Sequence, residues 1–165
     1  SKLILAWVDR KLECGPVILR MTTSRLMLNT EPDTTQVAVG VAVNSESCLL
    51  VGQRPAGKDF AGQWEFPGGK LEPGESTFNA LVREFREETN LAVHSAEPLF
   101  TTRYDYPDAS VLLHFWHITA FSGDLEGLEC QALEWVNEEN LSKINFLEGN
   151  RTLLERICSL VIKRT

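Results

Sequence analysis

Cysteine is sparse and unpaired in this chain of 165 residues: Cys14, Cys48, Cys130 and Cys158 lie far apart and form no CxxC pair. That spacing excludes a structural zinc site and a disulfide framework, and it reads as the reduced thiols of a cytosolic protein. No apolar run approaches the roughly 20 residues needed to span a bilayer, and Leu3 to Val8 is too short for the core of a secretory signal. A soluble, cytoplasmic protein with no membrane partner is therefore expected. Basic charge is scarce as well. Only 16 Lys and Arg stand against 23 Asp and Glu, giving a net charge of −7 and a pI near 5.0. Phosphate backbones are bound through basic surfaces, so a nucleic-acid polymer is not an expected partner. A small nucleotide remains compatible when a chelated cation carries its charge.

With 43% hydrophobic residues, the chain has material for one globular domain and its core. Its charge is unevenly spread. Lys2, Arg10, Lys11, Arg20 and Arg25 against Asp9 and Glu13 give the first thirty residues +3 and leave −10 for the rest. The composition changes near Thr30, and Pro32 to Thr35 reads as a connector, which divides the chain into an extension, 1–35, and a main domain, 36–165. Within the extension, Leu3 to Val8 and Pro16 to Met21 are a candidate hairpin.

In the main domain, Gln36 to Val43 sets Val37, Val39, Val41 and Val43 against Ala38, Gly40 and Ala42, a strand with one bulky face and one small face. Ser47 to Arg54, after the Asn44-Ser45-Glu46 turn, reads as its antiparallel partner. Gln63 to Pro67 is a short extended segment. Further strands are expected near Glu97 to Tyr106, Val111 to Phe121 and Leu133 to Val136, and a last helix from about Asn150 to Lys163. His114 and His117, three apart in a strand, face opposite sides and make a poor metal pair. They read as ordinary sheet histidines, and His94 has no evident partner.

The segment with the most chemistry runs from Gly69 to Leu91 (GKLEPGESTFNALVREFREETNL). Phe78, Leu81, Val82 and Phe85 recur at the spacing of a buried helical stripe, predicting a helix from about Thr77 to Thr89. Glu84, Glu87 and Glu88 fall together on a neighbouring face, because residues three and four apart on a helix are neighbours. Three like charges so close repel unless a cation sits among them. Carboxylate oxygens are the ligands that hard Mg²⁺ or Mn²⁺ prefers, and Mg²⁺ is commonly held by carboxylates together with substrate phosphates. The implied substrate is phosphorylated. Gly68 and Gly69 permit a close backbone approach or positive φ before the helix, Pro73-Gly74 signals a turn, and Lys70 offers positive charge to a phosphate.

This stretch resembles the Nudix box, in which Gly, five residues, Glu, seven residues and Arg-Glu-apolar-any-Glu-Glu-any-Gly-apolar follow in order. Here the matching residues are Gly69, Glu75, Arg83, Glu84, Phe85, Glu87, Glu88 and Leu91. Asn90 stands where the family has glycine, and Asn is the next residue suited to a left-handed helix end. The resemblance implies the Nudix fold, an α/β/α sandwich of α+β type around a central mixed β-sheet. It narrows to MutT-type nucleoside triphosphate pyrophosphohydrolases, which clear oxidised guanine nucleotides, through QRPAGKDFAGQWEFPGGK, the Tyr104 to Asp108 run YDYPD and ECQALEW from Glu129 to Trp135. By that resemblance the Gly68 carbonyl, Glu84, Glu87, Glu88 and Glu129 form the metal set. Glu84 or Glu129 orients or deprotonates the attacking water. Arg83 belongs to the same catalytic group and pairs with Glu75 to brace the loop against the helix. A solvated loop acid is the alternative reading of Glu129.

The same resemblance places Arg54, Glu65, Phe66, Tyr106 and Asn150 around the base, with Lys70 on the phosphate side. An asparagine side chain presents both donor and acceptor and so suits an oxidised purine. Asn150 equally fits a helix N-cap, and Phe66 equally fits a core aromatic. The expected activity is Mg²⁺-dependent hydrolysis of a nucleoside triphosphate to the monophosphate and pyrophosphate, acting on 8-oxo-dGTP. A CTP or modified dCTP pyrophosphohydrolase is the alternative within the enzyme class. From another class comes a non-catalytic MutT-like module that binds an oxidised base, although such modules lose box carboxylates and this chain keeps Glu75, Glu84, Glu87 and Glu88.

Overall fold

The structure, a computed structural model, describes residues 34–57, 60–105, 110–129 and 132–162. The expected extension up to residue 33, with its hairpin, Cys14, Cys130 and Tyr106 lie outside the described residues, while Thr34 and Thr35, expected in the connector, open the first strand. In chain order the elements are β1 (Thr34–Ala42), β2 (Leu49–Gln53), β3 (Trp64–Glu65), β4 (Gly68–Lys70), α1 (Thr77–Thr89), β5 (Ala92–Asp105), β6 (Ser110–Ser122), β7 (Leu133–Val136), α2 (Glu138–Leu141) and α3 (Glu148–Val161). They build a mixed four-stranded sheet of order β4-β1-β6-β5 and a three-stranded sheet of order β3-β2-β7. The mixture comes from β1, which runs parallel to β6 and antiparallel to β4.

The two faces of β1 organise the layers, as the alternation of its residues predicts. Ala38 and Ala42 on the small face pack with Leu81 and Phe85 of α1, all fully buried. Gly40 belongs to that face too, and a side chain there would run into the Phe85 ring. On the bulky face, Val37, Val39 and Val41 join Phe66, Phe146, Leu154, Ile157 and Val161, a second core that includes α3. Burying such side chains contributes roughly 1.5–3 kcal/mol each. A helix therefore covers each face, and the small face lets α1 approach the strand closely enough to bring its polar residues onto the neighbouring β4.

The predicted antiparallel pairing of β1 with β2 does not form. The two strands are joined by the expected turn, in which the Asn44 side chain accepts from the N–H of Glu46 and of Cys48. They meet only through one isolated bridge, Val43 to Leu49. Both edges of β1 are taken by β4 and β6, and both edges of β2 by β3 and β7, so the chain switches sheets at the turn. The glycine turn also differs from expectation, since Gly68 and Gly69 lie in a short strand paired with Val39 and Ala38.

The helix bounds follow local chemistry. Ser76 caps α1 by accepting from the Asn79 N–H at 3.1 Å, and Asn90 ends it at φ 61°, the left-handed conformation expected of its position. The four-residue α2, capped by Asn137, was not expected. None of the described helices is long and apolar enough to cross a membrane.

Candidate active site

The carboxylates of α1 meet the backbone of β4 at van der Waals range. A Cβ at Gly69 would collide with the Glu84 carboxylate, and one at Gly68 with the Ala38 carbonyl, so close approach is what these glycines supply. The Gly68 N–H donates to Glu88 Oε2 at 3.0 Å, and Glu88 is only 4% exposed. The three acids thus divide: Glu84 lies over β4, Glu88 turns inward to the strand, and the Glu87 side chain is 53% exposed.

Arg83 supplies the cation that such an acidic face requires. Its Nε and Nη2 donate to the two oxygens of Glu75 at 2.9 and 2.8 Å, a bidentate pair. Nη1 reaches Glu84 at 2.7 Å and Glu87 at 3.4 Å, while Nη2 also donates to the Lys70 carbonyl at 2.9 Å. The brace between Arg83 and Glu75 is the one the sequence predicts. These carboxylates, Glu75 first, raise the Arg83 pKa above its ordinary value, so the guanidinium keeps its charge throughout the accessible pH range. The Arg83 hydrogen bonds in turn lower the Glu75 pKa, with the Glu72 N–H adding and burial opposing.

A depressed carboxylate stabilises the fold at pH values above its unfolded pKa, and that contribution is lost as pH falls through the lower, folded value. Glu75→Gln is therefore expected to be less stable than the wild type at neutral pH, with the difference shrinking below about pH 4. Thermal unfolding of both proteins between pH 3 and 7 checks this, and parallel curves would contradict it.

Glu129 sits in the loop after β6, which is anchored to the end of α1. The Glu126 N–H donates to the Thr89 carbonyl at 3.0 Å, and the Leu128 N–H to the Glu88 carbonyl at 3.2 Å. Glu129 thus follows directly on a residue bonded to the backbone of a box acid. Among the described residues, no three His, Cys, Asp or Glu side chains converge in a metal-ready array. Glu84 and Glu87 are turned to the Arg83 guanidinium, and Glu88 to the Gly68 amide. The donors are nevertheless all oxygen, which is the chemistry hard divalent cations take.

Of the residues expected around the base, Glu65 lies in β3, Arg54 directly follows β2, Phe66 directly follows β3 and Asn150 lies in α3, while Tyr106 is outside the described residues. Arg54 and Glu65, each 5% exposed, form a buried ion pair in which Nη1 lies 3.0 Å from both carboxylate oxygens. Phe66 takes the core alternative. Its ring is 1% exposed and lies 5.2 Å from the Phe146 ring, so it is not presented to a base. The N-cap alternative for Asn150 is corrected, because Leu147 holds that position and Asn150 lies in the first turn of α3. Asn145 and Leu147 bond to either side of the Trp64 backbone at 2.9 Å, which ties the start of α3 to β3.

Sequence reasoning passed over Gln63, which is bonded through its carbonyl to the Arg54 N–H at 2.9 Å. Its Oε1 is buried without a hydrogen-bond partner, and nothing in its local sequence marks it out. Away from the site, His114 bonds Thr101 at 3.1 Å and Gln36 at 3.0 Å, as a sheet histidine should. His94, expected to lack a partner, meets Ser122 at 2.6 Å. Cys48 and Cys158 are free thiols, and burial pushes Cys158 up to about 11.

Known proteins share the family and the fold. A family model for the NUDIX domain matches residues 34–157. The chain is 37% identical over 122 residues to the CTP pyrophosphohydrolase of Escherichia coli, covering 74% of this chain and 90% of that protein. It is 31% identical over 122 residues to the 8-oxo-dGTP diphosphatase of the same organism, covering 74% and 95%. Among solved structures, the E. coli ORF135 protein superposes with a TM-score of 0.70 at 35% identity, over 79% of this chain and 93% of that one. A structure from work on MutT of Aliivibrio salmonicida and Vibrio cholerae gives 0.67 at 32% identity, over 78% and 99%.

Proposed function

The chain belongs to the NUDIX family and is a MutT-type Nudix hydrolase, and from that premise we propose that it hydrolyses 8-oxo-dGTP to the monophosphate and pyrophosphate in the cytoplasmic nucleotide pool. The observation that carries this reading is the carboxylate face of α1, with Glu84 seated on the glycine strand and the Arg83–Glu75 brace beside it.

Nudix hydrolases need a divalent metal ion, and Mg²⁺, with Mn²⁺ as a substitute, suits an oxygen donor set. Glu84, Glu87, Glu88, Glu129 and the Gly68 carbonyl would hold it. Held there, the ion would supply neutralisation of phosphate charge and a lowered pKa for a bound water. The remaining work belongs to the chain. Glu84, fixed between Arg83 and the Gly69 backbone, orients the water or takes its proton, with Glu129 the other candidate base. Arg83 is committed to three carboxylates and one carbonyl, so it acts by holding Glu84 in place rather than by reaching substrate. Lys70 serves the phosphates. We assign Arg54 and Glu65, held together as a buried ion pair, to the base side, with Tyr106 and Asn150 to read the base and Phe66 in the core beneath the pair's sheet.

A second reading, a CTP or modified dCTP pyrophosphohydrolase, is favoured by the 37% identity to a relative of the former name. It keeps the chemistry and changes the pocket. Pyrophosphate release with Mg²⁺ over 8-oxo-dGTP, dGTP, dCTP, CTP and 5-methyl-dCTP separates the two. We expect kcat/KM for 8-oxo-dGTP to exceed that for dGTP by about 100-fold or more, the scale on which buried polar groups reject a mismatched partner. Preference for a cytosine nucleotide would select the second reading. No release from any substrate would leave the non-catalytic binding module.

A further inference from the structure

Asn90 replaces the glycine of the Nudix pattern, and it does something glycine cannot. Its backbone is left-handed, at φ 61° and ψ 7°, and its N–H closes α1 on the Arg86 carbonyl at 3.2 Å. Glycine would manage that equally well. The side chain adds a contact, since Nδ2 donates to the Asp124 carbonyl at 3.2 Å across 34 residues of sequence. Asp124 opens the loop whose Glu126 and Leu128 N–H groups cap the Thr89 and Glu88 carbonyls. The Asn90 carbonyl is itself engaged by Arg86 Nη1 at 2.9 Å, and a Cβ added at Gly123 would meet it at 3.0 Å.

We infer that Asn90 is a positioning residue for Glu129: its carboxamide pins the start of the 124–129 loop to the end of α1, so that Glu129 is presented beside the box acids. The loop completes the helix by capping orphan carbonyls, and the helix holds the loop in return. Two of these three hydrogen bonds come from backbone N–H groups, which among substitutions only proline removes, at the cost of the local backbone. The third is the Asn90 carboxamide, the only one of them that a mutation can erase while leaving the helix end intact. This rests on the proposed role of Glu129 in the metal set.

The test is a double-mutant cycle of Asn90→Gly and Glu129→Gln in the whole chain, reading kcat, the half-saturating Mg²⁺ concentration and the thermal midpoint. Losing one tethering hydrogen bond should raise the Mg²⁺ requirement of Asn90→Gly about threefold to tenfold, while its thermal midpoint stays near wild type. In the Glu129→Gln background the same substitution should change nothing further. An equal effect in both backgrounds would overturn the inference, because Asn90 would then act through the helix end alone. So would an Asn90→Gly protein identical to wild type beside an impaired Glu129→Gln. If Glu129→Gln itself matches wild type, the Glu129 assignment falls and takes this inference with it, an outcome distinguishable from the other two.

Discussion

Glu84→Gln is expected to lower kcat by about 10³-fold at saturating Mg²⁺ and substrate, within the range for losing a positioned general base, while leaving the thermal midpoint almost unchanged. The side chain is lodged where a Cβ at Gly69 would fall, so the isosteric amide fills the same space. Its oxygen still accepts from Arg83 Nη1, which now holds Glu84 at 2.7 Å. What disappears is the negative charge, and with it both proton uptake and a share of cation binding. Single-turnover pyrophosphate release, measured with a Mg²⁺ titration, separates the two losses. A defect cured by more Mg²⁺ marks a ligand, and a defect that persists at saturation marks the base. Wild-type turnover in Glu84→Gln would remove this residue from the mechanism.

The largest effect on stability is expected from Gly40→Ala in the middle of β1. Its Cβ would enter the Phe85 ring and crowd Leu81, both fully buried. The strand has no room to retreat. Its Gly40 N–H is held by the Pro67 carbonyl at 2.9 Å, and β6 lies alongside, with Trp116 opposite Gly40. Overpacking of this kind costs about 1–3 kcal/mol, which at this size lowers the thermal midpoint by roughly 2–12 °C. Phe85→Leu, itself destabilising because it leaves a void, should be less damaging in the Gly40→Ala background than alone. Thermal unfolding of the four proteins measures this, and additive shifts would show that α1 does not depend on the missing side chain.

Much of this was legible in the sequence because it depends on local periodicity. The Thr77–Thr89 helix, its left-handed Asn90 end and the split between small and bulky faces of β1 follow from residues within a few positions of one another. Leu133–Val136 is likewise found where expected. The misses are non-local. Whether β2 pairs with β1 depends on which strands already occupy the edges of β1, and β4 and β6 come from far along the chain. The Phe66 ring went to the core because Phe146, eighty residues later, arrives on the same side. The link from Asn90 to Asp124 has no signature beyond an Asn where the pattern shows Gly. The Nudix resemblance named the acids of the site but not all their present partners: Glu84 and Glu87 meet Arg83 one and four positions along the same helix, whereas the tie of Glu88 to the Gly68 amide spans 20 residues.

The tie between Gly68 and Glu88, together with the two-point grip of Arg83 on Glu75, bears on entropy. Freezing a glutamate side chain costs as much as about 1.5–2 kcal/mol in lost rotamers. Glu75, Glu84 and Glu88 are already immobilised by an amide and a guanidinium, so that loss is taken once, when the chain folds, and is not repeated at each turnover. Glu87, half in solvent and 3.4 Å from Arg83, is held more loosely than these three.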